Sequence, residues 1–188
     1  MRVVAVILCL FFATALRAER YLTREQAGKL AFPTADRFEE KVLRFSPEQR
    51  AAIQKRSGVA VKVDGNKVAY AYEGSRLLGV LFLDHVLGKH EIIDYTVALS
   101  PEGKIFAIEI LEYRESYGYE IRGAKWRSQF VGKRADNTLR LNKDIYNISG
   151  ATMSCRHVTE GVRRVLATFD LLCRPQLIAG GVPNSSGN

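Results

Sequence analysis

Short runs of apolar and β-branched residues recur through the middle of the chain, separated by turn residues, as is typical of β-strands. The predicted turns are Asp64-Gly65-Asn66 and Ser100-Pro101-Glu102-Gly103, because these residue types favour tight reversals. The sequence therefore predicts a twisted antiparallel sheet of about five strands. The strand segments are 59–63, 67–72, 77–83, 92–99 and 104–113.

Helical patterns lie on both sides of this predicted sheet. Thr23–Gln26 and Ser46–Gln49 have the Ser/Thr-x-x-Gln form of a capping box, which predicts two or three short helices ending near Ser57-Gly58. Near the carboxyl end, apolar residues recur every three or four positions, which predicts a long amphipathic helix beginning at 149–152 and ended by Pro175. The fold class is α+β, with the sheet packed against short N-terminal helices and one long C-terminal amphipathic helix. The apolar positions of that last helix are Val158, Val162, Val165, Phe169 and Leu172.

The amino end has the layout of a secretory signal peptide. Arg2 precedes an apolar run from Val3 to Leu16, and small residues follow at Ala15 and Ala18. The alternative is an uncleaved anchor, but about 14 apolar residues are fewer than the roughly 20 that a spanning helix needs. We expect a periplasmic or other extracytoplasmic location, free or at the membrane. The expected divisions are a signal peptide (1–18), an N-terminal helical segment (19–58), the main domain (59–175) and a flexible tail (176–188).

The net charge indicates anionic partners. It is +8 for the whole chain and +6 without Arg2 and Arg17, which suits acidic proteins or anionic lipid. Nucleic acid is a third anionic partner that this charge suits, but export makes it the least expected of the three. The segment from Arg122 to Lys143 contains seven basic residues and one acid, Asp136. This excess of positive charge indicates either a solvated face or a site for phosphate or a partner.

Several common chemistries lack their motifs. The sequence has no Gly-rich nucleotide loop, Cys-x-x-Cys or Gly-x-Ser-x-Gly, and its histidines lack the spacing of a zinc site. Cys155 and Cys173 are 18 residues apart, and on a helix they are separated by about 27 Å, too far for a disulfide. We therefore expect buried free thiols, no metal ligands and no catalytic side chain.

The segment Ile148–Ser154, at the mouth of the last helix, is the strongest candidate site. Its small residues allow close approach to the backbone, and a helix start offers unpaired N–H groups to an anion such as phosphate. A plain helix cap by Ser149 or Thr152 explains the same residues. The local pattern leaves both interpretations open.

A family resemblance favours the first interpretation. Ser149-Gly150-Ala151-Thr152 resembles the flavin-attachment motif of the FMN-binding-domain family, which includes flavin subunits of the Rnf complex and of the sodium-pumping NADH:quinone oxidoreductase. The resemblance covers about residues 75–170. Tyr146 stands where relatives commonly have an acid, and Ser116-Tyr117 stands where many have Thr-Pro. The other matching segments are Gly88–Glu91, Glu109–Tyr113, Glu115–Gly118 and Trp126–Phe130.

The resemblance implies FMN joined to Thr152 by a phosphoester, installed by an exported flavin transferase that uses FAD. It also implies an electron carrier that serves a membrane or periplasmic redox partner, with basic residues of 122–143 favouring the reduced, anionic flavin. The alternatives are a flavin-dependent reductase of a small substrate and a binding domain that has lost its flavin. For a reductase the candidate proton donors are Tyr117, Tyr119 and His157. The expected cofactor-binding residues are Thr152, Ser149, Gly150, Ala151, Ser154, Glu115, Gly118 and Trp126.

Overall fold

An antiparallel sheet with strand order β1-β6-β5-β4-β3-β2 organises the computed structural model, which describes residues 19–180. Five of its strands have eight residues or more, so the predicted sheet of about five strands is confirmed. The predicted signal peptide, 1–18, and residues 181–188 of the predicted tail lie outside the described residues. The strands are β1 (Glu19–Arg20), β2 (Arg37–Arg44), β3 (Gly65–Glu73), β4 (Arg76–Leu87), β5 (Ile92–Leu99) and β6 (Ile105–Tyr113).

The helices complete the α+β class that the sequence predicts. Helices α1 and α2 each begin with the predicted capping box, at Thr23 and Ser46. The turn before β6 is also confirmed, because Ser100 N–H donates to Lys104 O at 2.8 Å and Gly103 adopts φ +81°. The helices are α1 (Arg24–Ala31), α2 (Pro47–Ser57), a short α3 (Ala124–Arg127), α4 (Thr152–Thr168) and α5 (Arg174–Ile178).

The N-terminal segment differs from the prediction in one strand. Residues 37–44 form β2, whereas the sequence predicts only helices there, and residues 59–63 form no strand. The predicted hairpin turn at Asp64-Gly65-Asn66 is instead the start of β3, paired with β2. Glycine is required at Gly65 because a Cβ would lie 2.1 Å from Leu43 O. A non-local contact, not a tight turn, therefore explains this glycine.

Helix α4 packs across β4 and β5 and buries its apolar stripe against them. The sequence pattern predicts that this helix ends at Pro175, but the helical path continues past that residue. A π-helical turn, Phe169–Cys173, connects α4 to α5, and Pro175 lies in the first turn of α5. Proline is tolerated there because the first turn needs no intrahelical donor. Cys155 and Cys173 are both buried and free, which confirms the thiol prediction.

The two faces of the sheet carry separate cores. Phe82 contacts the α4 side, whereas Leu81 contacts a smaller cluster with Phe32 beneath α1. This separation follows from the opposite directions of successive side chains along a strand. Within residues 19–180, no helix is long and apolar enough to cross a bilayer.

Candidate functional site

Three separate segments of the chain meet at the start of α4. They are the β4–β5 loop (89–91), the residues after β6 (114–117) and the helix start (150–154). Together they enclose a cavity of about 550 Å³, which lies within the usual size range of small-molecule sites. The sheet brings the first two segments together, and the packing of α4 against β4 and β5 adds the third.

The start of α4 has free backbone donors. Its N-cap residue is Ala151, and among the described residues no side chain caps the helix, so the plain-cap interpretation is wrong. Gly150 turns the chain into the helix with φ +84°. Thr152 is the first helical residue, and its Oγ1 accepts a hydrogen bond from Asn147 Nδ2 at 2.9 Å. An uncapped helix start next to a hydroxyl is suited to holding a phosphate.

Glu115 lines the cavity and also organises its wall. Its Oε1 accepts hydrogen bonds from His90 N–H at 2.6 Å and Glu91 N–H at 3.0 Å. Burial raises the pKa of Glu115, but backbone N–H groups of Glu91, His90 and Lys89 outweigh burial, so the pKa lies below its ordinary value. A Cβ at Gly88 would lie 2.5 Å from the same carboxylate oxygen, so a larger residue there would displace the Glu115 side chain.

His157 fixes the same loop from the helix side. Its Nδ1 contacts Leu87 O at 2.5 Å and Gly88 O at 3.2 Å, so the ring joins the second turn of α4 to the end of β4. With Nδ1 engaged as a donor to these carbonyls, His157 acts as a structural tie behind the cavity.

Gly118 and Ser154 belong to a contact that closes the site from behind. A Cβ on Gly118, at φ +86°, would lie 2.9 Å from Ala151 Cβ. Tyr113 Oη donates to Tyr117 O at 2.6 Å and lies 3.0 Å from Ser154 Oγ. Ser154 is buried, and its hydroxyl already has this partner. Burial raises the pKa of Tyr113, so its phenol remains protonated at neutral pH.

Three residues expected at the cofactor lie outside the residues that line the cavity: Gly118, described above, Ser149 and Trp126. Ser149 is exposed in the preceding turn. Trp126 is buried, and its Nε1 donates to Tyr146 O at 2.9 Å, while Gln129 Oε1 accepts from Tyr146 N–H at 2.6 Å. Trp126 therefore positions the backbone that leads to the attachment motif.

Asp144 lies two residues before the position where relatives commonly have an acid. Its carboxylate is engaged in hydrogen bonds within the preceding turn. It accepts hydrogen bonds from Leu139 N–H at 2.7 Å and Arg140 N–H at 2.6 Å. Burial raises the pKa of Asp144, but these backbone donors outweigh burial, so the net shift is downward. Tyr146 itself is exposed. Asp144 thus stabilises the turn before the motif.

Cations at the cavity come from a different segment than the sequence suggests. Lys89, His90 and Arg114 line it, and Arg114 is paired with Asp94 at 3.0 Å and Glu112 at 2.6 Å. Within the described chain, none of the seven basic residues of 122–143 lines this cavity. Lys89 is therefore the cation best placed to act on an anion there.

A larger groove of about 990 Å³ lies on the opposite side, between α1 and strands β2 to β5. Its lining, within residues 19–180, includes none of the predicted site residues. Size alone would favour this groove. The chemistry favours the smaller cavity, because only that cavity combines the uncapped helix start with Thr152.

Residues 88–167 match the family model described as FMN-binding domain. A curated relative is a component of the proton-translocating ferredoxin:NAD(+) oxidoreductase complex of Clostridium ljungdahlii, 29% identical over 113 residues. That match covers 56% of this chain and 61% of the relative, so the chain spans about three fifths of that protein's length.

A solved structure shares the fold. It is the crystal structure of NqrC from Shewanella oneidensis, with a TM-score of 0.57 and 18% identity, covering 77% of this chain and 85% of that chain. The family match contains every segment that lines the smaller cavity, from Lys89 to Ser154. Residues 88–167 of this chain are therefore similar to the FMN-binding-domain family.

Proposed function

We propose that this protein is an exported electron carrier that holds FMN by a phosphoester to Oγ1 of Thr152. The observation that carries the proposal is the position of Thr152, at the uncapped start of α4 and in the lining of the cavity of the FMN-binding domain. Ser154 is the nearest rival hydroxyl on the helix, but it is buried against Tyr113.

The residues around Thr152 suit a flavin phosphate. The first-turn N–H groups of α4 have no side-chain cap among the described residues, and a phosphate would satisfy them. Asn147 Nδ2 donates to the Thr152 oxygen, which orients the lone pairs and leaves the hydroxyl proton directed elsewhere. Asn147 Oδ1 is buried without a partner among the described atoms, so a donor from a bound group would satisfy it.

Attachment requires an exchange at phosphorus. Thr152 Oγ1 would bond to the flavin-bearing phosphorus of FAD as the bond to the AMP portion breaks, AMP leaves and the threonine proton is lost. A flavin transferase is the proposed catalyst. The covalent bond matters because a helix start contributes only about 0.3–1 kcal/mol toward an anion, whereas micromolar retention needs roughly 8 kcal/mol.

Bound FMN supplies one- and two-electron transfer, and the protein supplies attachment, access and charge. Lys89 is exposed at the cavity and would attract an acidic surface of a redox partner. The curated relative is by name part of a ferredoxin:NAD(+) oxidoreductase complex, which supports a partner in a membrane redox complex. Export through residues 1–18 places this proposed partner outside the cytoplasm.

The decisive experiment is the mass of the denatured protein after export from a host that has a flavin transferase. We expect an increment of FMN on a chain that begins after Ala15 or Ala18. Thr152→Ala should lack the increment, while Ser154→Ala and Ser116→Ala should keep it. Flavin that washes out on denaturation, or an increment that survives in Thr152→Ala, would contradict the proposal.

The same material separates a carrier from a reductase. A carrier exchanges electrons with a redox protein and is not reoxidised faster by any small exported substrate. Rapid reoxidation by a small substrate that depends on Tyr117 or Tyr119 would favour the reductase.

A further inference from the structure

Tyr117 is a large aromatic residue left almost uncovered beside the proposed flavin tether. Its side chain is 83% exposed, and it lines the same cavity as Thr152. An exposed aromatic ring at the mouth of a ligand cavity is a ready contact surface for a flat ligand. Among the described residues lining the cavity, Tyr117 supplies the only phenol ring.

The backbone of Tyr117 is held firmly although its ring is free. Its carbonyl accepts the hydrogen bond from Tyr113 Oη at 2.6 Å. The next residue, Gly118, lies against Ala151, and Ala151 directly precedes Thr152. Tyr117 is the chain neighbour of Gly118, and Thr152 is the chain neighbour of Ala151. In each case the two Cα atoms are about 3.8 Å apart. A flavin joined to Thr152 begins within reach of this ring.

We infer that the Tyr117 phenol stacks on the isoalloxazine ring of FMN carried by Thr152, an inference that rests on the proposed function. The ring covers one face of the flavin and leaves the other face to the redox partner. Stacking of this kind is favourable for flat aromatic systems in offset geometry. Tyr117 is therefore a cofactor-contacting residue.

The stacked ring also sets the redox potential. A phenol is rich in π-electrons, and its negative face opposes the negative charge that flavin gains on reduction. Lys89 at the same cavity acts in the opposite direction, because a cation stabilises that charge. Tyr117 lowers the midpoint potential and Lys89 raises it.

Flavin fluorescence and potentiometry test the contact on the flavinylated protein. A phenol in contact with flavin quenches its fluorescence, so Tyr117→Ala should be severalfold brighter than the wild type and should have a higher midpoint potential. Tyr117→Trp should stay quenched, because indole also stacks and quenches. Tyr119→Ala is the matched control: Tyr119 is two residues away and 56% exposed, does not line the cavity, and should match the wild type.

The outcomes of these measurements distinguish failure of the stacking inference from failure of the proposed function. If Tyr117→Ala carries the FMN mass but keeps wild-type fluorescence and potential, the stacking inference is overturned and the proposed function stands. If Tyr119→Ala brightens as much as Tyr117→Ala, the effect is not specific to the stack and the inference also falls. Wild-type protein without the FMN mass overturns the proposed function, and the inference with it.

Discussion

The middle and the start of helix α4 are held by different kinds of contact. In the middle, Arg164 Nη2 reaches Asp84 Oδ2 at 2.7 Å, and the same carboxylate accepts Tyr95 Oη at 2.5 Å and Asn66 Nδ2 at 3.2 Å. Arg164 is 7% exposed and Asp84 3%, so this network is closed to solvent. At the start, the partly exposed Asn147 donates from the preceding loop to Thr152 Oγ1, and the partly exposed Glu115 accepts from the β4–β5 loop.

This difference separates the stability of the protein from its proposed chemistry. Removing one partner of a buried ion pair leaves a buried charge, which costs about 3–5 kcal/mol. A single hydrogen bond near the surface contributes about 0.5–1.5 kcal/mol. The middle of α4 thus fixes the helix on the sheet, and the start can present a cofactor on contacts that can be changed one at a time.

The largest expected effect is at the middle of the helix. Asp84→Ala should lower the free energy of unfolding by about 3–5 kcal/mol, because it leaves Arg164 buried without its carboxylate. Urea denaturation monitored by circular dichroism measures the loss.

The control for Asp84→Ala removes both charges. Asp84→Leu combined with Arg164→Met should recover part of the lost stability, since a buried pair is often replaceable by apolar residues, while Tyr95 Oη and Asn66 Nδ2 still lack their acceptor. A double variant no more stable than Asp84→Ala would contradict this account and would indicate that packing, not the unpaired charge, dominates.

A smaller effect is expected at the start of the helix. Glu115→Ala leaves two N–H groups of the β4–β5 loop without their acceptor, which should cost about 1–3 kcal/mol. Hydrogen exchange should accelerate at the amides of His90 and Glu91 while amides of β5 stay protected. Uniform acceleration across the sheet would show that the loop and the core are not separable.

The fold elements that the sequence predicts are those with strong local signals. Strands β5 and β6 are apolar runs on either side of a turn with Pro and Gly, α1 and α2 carry capping boxes, and α4 has an apolar stripe at helical spacing. Strand β2 escapes prediction because it is an edge strand with charged residues along most of its length. Pro175 misleads because a π-helical turn places it at a new helix start.

The site follows the same division. The attachment motif is local, and the sequence locates it at the start of α4. The role of Trp126 arises where separate segments meet, so no spacing along the chain indicates it. Asp144 and Asn147 bond to residues within five positions, but in an irregular loop that has no periodic pattern to indicate them. The sequence pattern assigns the cations near the flavin to the wrong segment. It misses Lys89 because the sheet, and not a local pattern, brings the loop that carries this residue to the helix.

Acid should weaken the contacts at the start of the helix. Glu115 and Asp144 have lowered pKa values, so their contribution is complete above the ordinary values of 4.5 and 3.8 and is lost as pH falls through the lower folded values. The stability difference between wild type and Glu115→Ala should therefore shrink as the pH is lowered below 4.5. Urea titrations at several pH values measure it, and a difference that stays constant to pH 3 would rule this cause out.

Removal of the Asn147 side chain should slow flavin attachment without unfolding the protein. Asn147→Ala loses the donor to Thr152 Oγ1, and a hydrogen bond worth about 0.5–1.5 kcal/mol corresponds to about a two- to tenfold lower rate. Timed mass spectra with purified transferase give the rate. Lys143→Ala, an exposed change in the neighbouring turn, should leave the rate unchanged. Equal rates for Asn147→Ala and the wild type would remove Asn147 from the site.

Ser154→Ala should have the smallest effect, although Ser154 lies two residues from Thr152. The Tyr113 hydroxyl loses one partner but still donates to Tyr117 O, so the expected loss of stability is about 1 kcal/mol or less. The FMN increment should remain complete, because Ser154 lines the cavity but its Oγ is buried and bonded to Tyr113 Oη. Thr152→Ala has the reverse profile, with little loss of stability and no increment. If Ser154→Ala abolished the increment, the hydroxyl that carries the flavin would have to be reassigned from Thr152 to Ser154.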